Sequence, residues 1–158
     1  MSEALSPAAA RVQELLRAAG SAAAVRQMPV TARTSADAAA AIGCTVAQIA
    51  KSLVFKSRSG KPVLVIASGV NRVDEAKIAA ALGEPIGKAD ASFVRDMTGY
   101  AIGGVAPIGH ATPPRIFIDQ DLRQHASLWA AAGHPHAVFP TTPSELERLT
   151  GGAVIEVK

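Results

Sequence analysis

The sequence predicts an α/β fold, a mixed β-sheet with helices packed around it, in one domain spanning residues 1–158. Three observations carry this expectation. Helix-spaced segments and short apolar runs of strand type are interleaved along the chain, without the strict alternation that would build an all-parallel sheet. A length of 158 residues fits one domain and leaves little room for two. Apolar residues make up 49% and charged residues 18%, enough for one packed core and unlike a disordered chain. Thirty-three residues are Ala and only 4% are aromatic, so the core is built mostly from small aliphatic groups.

The elements follow in order. Ser6-Pro7 reads as an N-cap and first helical residue, and Val12, Leu15, Leu16 and Ala19 repeat at helical spacing until Gly20. An extended piece over Ala24–Val30 leads to Thr34, whose hydroxyl caps a helix over Ser35–Ile42 that ends at Gly43. Thr45 and Gln48 form a capping box, which predicts a short helix through Ile49 and Ala50 with Lys51 at its end. Leu53–Lys56 and Pro62–Ala67 read as a hairpin of two buried strands around a Ser-Gly tip. Asp74 caps a helix over Glu75–Leu82, stopped by Gly83, and a turn containing Gly87 precedes a helix near Ser92–Thr98. Arg115–Asp119, Ser127–Ala132, Ala137–Phe139 and Ala153–Val157 are expected strands. Thr142-Pro143-Ser144-Glu145 opens a last helix that runs to Thr150.

Composition excludes several classes of protein. Cys44 is the only cysteine, so no internal disulfide forms and a reducing, cytoplasmic setting is expected. The segment Met1–Ala10 has no basic flank and no continuous apolar stretch, so it does not read as a signal peptide. The long uncharged stretches Met97–Pro114 and Gln124–Ser144 are broken by Gly and Pro, so neither is expected to span a membrane. Net charge is 16 − 13 = +3, far below a dedicated nucleic-acid binder. The densest basic run is Lys51, Lys56, Arg58 and Lys61. On charge alone a solvated hairpin tip explains it better than a phosphate-facing patch.

Nucleophile motifs are lacking: no G-x-S-x-G elbow, no Walker loop, and Cys44 reads as a small buried residue without a nearby His. His134 and His136 have the wrong spacing for a helical metal pair and no Asp, Glu or Cys close by, so no metal site is expected. Two features remain. Lys51 sits among apolar neighbours in Ile49-Ala50-Lys51-Ser52-Leu53-Val54-Phe55, and must either snorkel to solvent or point into a cleft. Gly103-Gly104-Val105-Ala106-Pro107-Ile108-Gly109-His110 is an uncharged loop with a rigid backbone. It suits close approach of a ligand, or equally a tight crossover.

Taken together, Thr31–Thr34, Gln48–Phe55, Arg72-Val73-Asp74, Thr98-Gly99-Tyr100, Gly103–His110, Ala132-Gly133-His134 and Leu149-Thr150-Gly151, in that order, resemble the YbaK family, the prolyl-tRNA-synthetase-associated editing domains. The resemblance covers roughly residues 25–158. It leaves the first 24 residues unmatched, so the helix there is expected only to pack. The resemblance implies a barrel-like mixed sheet and a free-standing aminoacyl-tRNA deacylase that needs no metal and no cofactor. In it Lys51 is the essential catalytic residue, and Gly103, Gly104, Val105, Ala106 and Pro107 form the editing pocket and position the 3′-terminal adenosine. His134 tunes recognition of the amino acid, and the terminal ribose hydroxyl assists the attacking water. The implied partner is mischarged tRNA, foremost tRNA-Pro carrying Ala, Cys, Ser or Thr, with a synthetase as a further partner and neither DNA nor membrane. On this reading Lys56, Arg58 and Lys61 contact tRNA, and any Cβ at Gly103 or Gly104 would strain the loop or intrude on the substrate. The competing readings are a non-catalytic tRNA- or synthetase-binding module of the same fold, and a hydrolase or binder for a small aminoacyl or nucleotide metabolite.

Overall fold

The computed structural model of the chain describes residues 5–29 and 34–158; the motif residues Thr31, Ala32 and Arg33 lie outside this range. Helix α1 (Pro7–Ala18) starts where expected, with the Ser6 hydroxyl accepting from the Ala9 N–H at 3.2 Å. It buries Ala9, Val12 and Leu16 in the main core. A two-residue strand β1 (Arg26–Gln27) follows, then α2 (Ser35–Ile42), capped by Thr34 and Asp37 acting reciprocally and ended by Gly43 at φ +88°.

The chain then makes a three-residue 3₁₀ turn (Val46–Gln48) and enters β2 (Ile49–Ser57) and β3 (Pro62–Ser68). This corrects the expected helix through Ala50. The capping box at Thr45 and Gln48 is present, but sheet pairing claims the chain from Ile49 onward. Lys51 therefore lies inside a strand. Helix α3 (Glu75–Leu82) leads to β4 (Ile86–Lys88), a strand where the sequence suggested only a turn, and then to α4 (Ala91–Thr98). Strand β5 (Arg115–Asp119), a second 3₁₀ segment (Gln120–Gln124), β6 (Leu128–Ala131) and β7 (Ala137–Thr141) precede α5 (Pro143–Thr150) and β8 (Ala153–Ile155).

All eight strands form one mixed sheet in the order β1-β7-β6-β2-β3-β5-β8, with β4 attached to β2. The main core on one face gathers Val12, Leu16, Leu64, Ile66, Ile118 and Phe139. On the opposite face a smaller cluster around Val63, Val65 and Phe117 is covered by Ile78 of α3. No helix among the described residues is long and apolar enough to cross a membrane.

The feature that positions the site is a fork in this sheet. Ser57 N–H donates to the Lys61 carbonyl (2.9 Å) and Gly69 N–H to the Ile49 carbonyl (2.8 Å), with unbroken β2–β3 register between them. The odd-numbered residues of β2 thus turn their main-chain groups toward β3, and Ala50, Ser52, Val54 and Lys56 turn theirs to the other edge. That edge is taken by β6 at Ile49–Ala50 and by β4 at Phe55–Ser57. Between the two, the main-chain groups of Ser52 and the N–H of Val54 have no strand partner among the described residues.

Candidate functional site

A cleft of about 690 Å³ opens in the fork, with β2 as its wall. Thr34, the cap of α2, and Ser35 and Ala38 within it border the cleft, Lys88 and Ala89 close the β4 end, and Trp129, Ala131 and His136 close the β6–β7 end. Gly103 and Val105 reach it from the loop after α4. Among the described residues its polar side chains include Thr34, Ser35, Lys51, Ser52, Lys88 and His136, and no carboxylate lines it.

Alternation along β2 sets where the side chains go. Ala50 and Val54 pack into the main core, so Ser52 shares their face; Lys51, Leu53 and Phe55 occupy the other. Lys51 forms no hydrogen bond or ion pair among the described residues. Burial pushes its ammonium below the ordinary lysine value, and the negative charge of Asp119 opposes that shift. Asp119 is 1% exposed and held by N–H donors from Ser68 (3.0 Å), Asn71 (2.7 Å) and Asp121 (2.9 Å), so its charge is fixed at the end of β5. Ser52 Oγ is buried and has no hydrogen-bond partner among the described residues.

The glycine loop is clamped from within. His110 Nε2 donates to the Ala106 carbonyl (2.7 Å), the Tyr100 hydroxyl donates to the Ile108 carbonyl (2.7 Å), and Gly104 N–H donates to the Ala101 carbonyl (3.0 Å). Ala106 is fully buried. Only Gly103 and Val105 of the five loop residues singled out in sequence line the cleft. Gly103 takes φ +87° with open space where a Cβ would sit. Gly104 packs against main chain: a Cβ there would lie 2.7–2.8 Å from backbone atoms of His134 and Pro135.

The other sequence candidates are placed as follows. His134 supports the loop through its backbone, and its Nδ1 accepts from the His136 N–H (3.1 Å); the ring that lines the cleft is that of His136. Lys56, Arg58 and Lys61 lie at the β2–β3 hairpin, outside the cleft lining. The Lys56 ammonium sits 5.2 Å from the Phe93 ring centroid. Glu84 reaches the tip and accepts from the Ser59 N–H and hydroxyl at 2.8 Å, placing a carboxylate beside this basic run that the linear sequence hides. Cys44 is half-buried, not fully buried as expected, and stands outside the lining. No group of three His, Cys, Asp or Glu among the described residues is placed to hold a metal. Sequence reasoning missed Lys88, Trp129 and His136. The one available signal was Trp129 itself, a lone large aromatic in an alanine-rich strand.

Among the described residues no cleft hydroxyl is paired with a base: Lys51 bonds nothing and Ser52 Oγ is unpartnered, so these residues do not assemble the Ser-plus-base arrangement of covalent hydrolases. The cleft instead offers a half-buried ammonium, free main-chain N–H groups and an anion-tolerant lining. These suit the binding of carbonyl or phosphate oxygens and attack by water.

Comparison with known proteins agrees. One solved structure, described as that of "a putative trans-editing enzyme for prolyl tRNA synthetase", superposes with a TM-score of 0.94 at 44% identity, covering 98% of this chain and 99% of that one. An Enterococcus faecalis protein named "Putative Cys-tRNA(Pro)/Cys-tRNA(Cys) deacylase EbsC" is 26% identical over 75% of this chain and 73% of its own. A proline–tRNA ligase of Brachyspira hyodysenteriae is 34% identical over 77 residues, 48% of this chain but 13% of the ligase. Residues 30–149 match the family model described as the aminoacyl-tRNA editing domain, and the chain belongs to that family.

Proposed function

We propose that this protein is a trans-editing hydrolase that deacylates mischarged aminoacyl-tRNA without a metal, acting on tRNA-Pro that carries Ala, Cys, Ser or Thr. The observation that carries this reading is Lys51, an unpartnered, partly desolvated ammonium facing a cleft built from the fork and the glycine loop. An aminoacyl ester is already activated, so positioning and charge stabilisation suffice for its hydrolysis. Water adds to the ester carbonyl carbon, and the charge developing on the carbonyl oxygen is met by the Lys51 ammonium and the free N–H groups of Ser52 or Val54. The C–O bond to the ribose then breaks, and the proton lost by the water passes to the departing ribose oxygen. The products are free amino acid and uncharged tRNA. Such a second sieve is needed because a binding pocket separates side chains that differ by one methylene only about 10–200-fold.

The test is a deacylation panel with Ala-, Cys-, Ser- and Thr-charged tRNA-Pro, run with and without EDTA. Turnover of at least one of these esters, unchanged by chelation, is expected. Tight binding of the charged tRNA with no release of amino acid would favour the non-catalytic module, and loss on chelation reversed by zinc would overturn the metal-free mechanism.

Ser52→Ala separates a site role from a packing role. Deleting an unpartnered buried hydroxyl relieves an unsatisfied group, so the melting temperature should hold or rise. If the hydroxyl bonds substrate, turnover should fall about tenfold, one hydrogen bond's worth. An equally active variant would place Ser52 outside the site.

A further inference from the structure

Trp129 is not used by the mechanism above, yet the sheet register puts it on the same surface as Lys51. Trp129 is paired with Ile49 in the parallel β2–β6 ladder, so its side chain leaves the sheet on the face of Ile49 and, one alternation along, of Lys51. At the other end Phe55 is paired with Lys88, which puts Lys88 on that face too. One surface therefore carries Trp129, Lys51 and Lys88 in a row, over about 20 Å at roughly 3.3 Å per residue. Arg26 joins it across β7: Arg26 pairs with Val138 and Val138 with Ala131, and the guanidinium lies over the Trp129 ring, 5.8 Å from its centroid. The indole is partly exposed and lines the cleft, and its N–H bonds nothing among the described residues. Lys88 is exposed and likewise without an ion pair.

We infer that the Trp129 ring, backed by Arg26, is a stacking platform for a nucleobase of the substrate's unpaired 3′ end, with Lys88 holding a phosphate of the same strand. This rests on reading the cleft as an RNA-ester hydrolase. The chemistry fits single-stranded RNA: unpaired bases stack on aromatic rings and guanidinium planes, lysines neutralise the backbone, and no carboxylate among the described residues lines the cleft to repel it. The platform is separate from the basic hairpin, whose charge Glu84 offsets.

Trp129 is the only tryptophan, so its fluorescence reports on the platform directly. Wild-type protein is titrated with the ribotrinucleotide CCA at low and moderate salt. A saturable quench that weakens with salt is expected, with AMP needing about tenfold more ligand because it brings fewer phosphates. Lys88→Ala should keep the quench and lower the salt slope by about one. In deacylation of charged tRNA, Trp129→Ala should raise KM about 10–100-fold with kcat little changed, and Trp129→Phe should restore most of the loss, as expected for lost stacking. An unchanged fluorescence at trinucleotide concentrations that inhibit deacylation would overturn the platform while leaving the hydrolase standing, as would a fall in kcat at constant KM. AMP binding as tightly as CCA would reassign the ring to mononucleotides and overturn the inference. A chain inactive on every charged tRNA fails at the earlier reading instead.

Discussion

Lys51→Ala is expected to cut deacylation by about 10²–10³-fold, the usual cost of removing one preorganised charge at the reacting centre. The fold should not suffer, since the ammonium has no ion pair to lose and is held in a setting that disfavours its charge. The melting temperature is therefore expected to hold or rise. Lys51→Arg is expected to restore little, because a planar guanidinium does not replace a compact ammonium at a fixed point. The same argument fixes a pH dependence. Burial lowers the Lys51 value, Asp119 opposes the fall, and Lys88, on the same face of the sheet, adds no negative charge. Activity that requires the ammonium must then be lost as pH rises through this lowered value, sooner than an exposed lysine would allow. Asp119→Asn removes the opposing charge and should move that loss to still lower pH, whereas a purely structural effect would lower the melting temperature and leave the limb in place. Full activity in Lys51→Ala would remove the lysine from the mechanism.

Local chemistry wrote much of this fold into the sequence. The caps at Ser6, Thr34, Asp74 and Thr142, and the glycines at 43, 83, 99 and 151, bound helices within a residue of where they stand. Local signals failed where distant segments decide the outcome. The Thr45–Gln48 box argued for a helix carrying Lys51, but Ile49 and Ala50 pair with Trp129 and Ala130, about eighty residues away in the chain, and the helix stops after three residues. Strand β4 has three residues and no readable period, so Lys88 could not be placed beside the cleft. The cleft exists because β6 and β4 share one edge of β2 and leave a gap between them, a property of pairing with no counterpart in any single segment. The motif around Lys51 could thus mark the lysine, but not Trp129 or His136, which reach the site through β6 and the turn before β7.

Gly104→Ala is expected to lower stability and turnover together. The added Cβ would meet the His134 carbonyl carbon at 2.7 Å and the His134 Cα and Pro135 nitrogen at 2.8 Å. These are main-chain atoms and cannot swing aside as a side chain could, so the clash falls on the scaffold, whereas the sequence suggested an intrusion on the substrate. Nor can the loop easily retreat. His110 and Tyr100 hold its carbonyls, and Val105 and Ala106 are buried behind it. Overpacking of this kind costs about 1–3 kcal/mol, or a melting-temperature drop of roughly 2–12 °C for a chain of this size. Either side that yields carries cleft wall with it, Gly103 and Val105 on the loop or Pro135 and His136 across from it, so activity should fall even in the molecules that stay folded. Gly103→Ala provides the contrast. Its Cβ meets nothing, and only the positive φ resists it, at about 1–2 kcal/mol. Thermal melts and turnover on the same preparations check both, with turnover measured well below the melting range. A Gly104→Ala protein that melts with the wild type would show that the loop and the His134–Pro135 turn are free to part. Full turnover restored in the cold would show that their contact supports the fold and leaves the site's geometry alone.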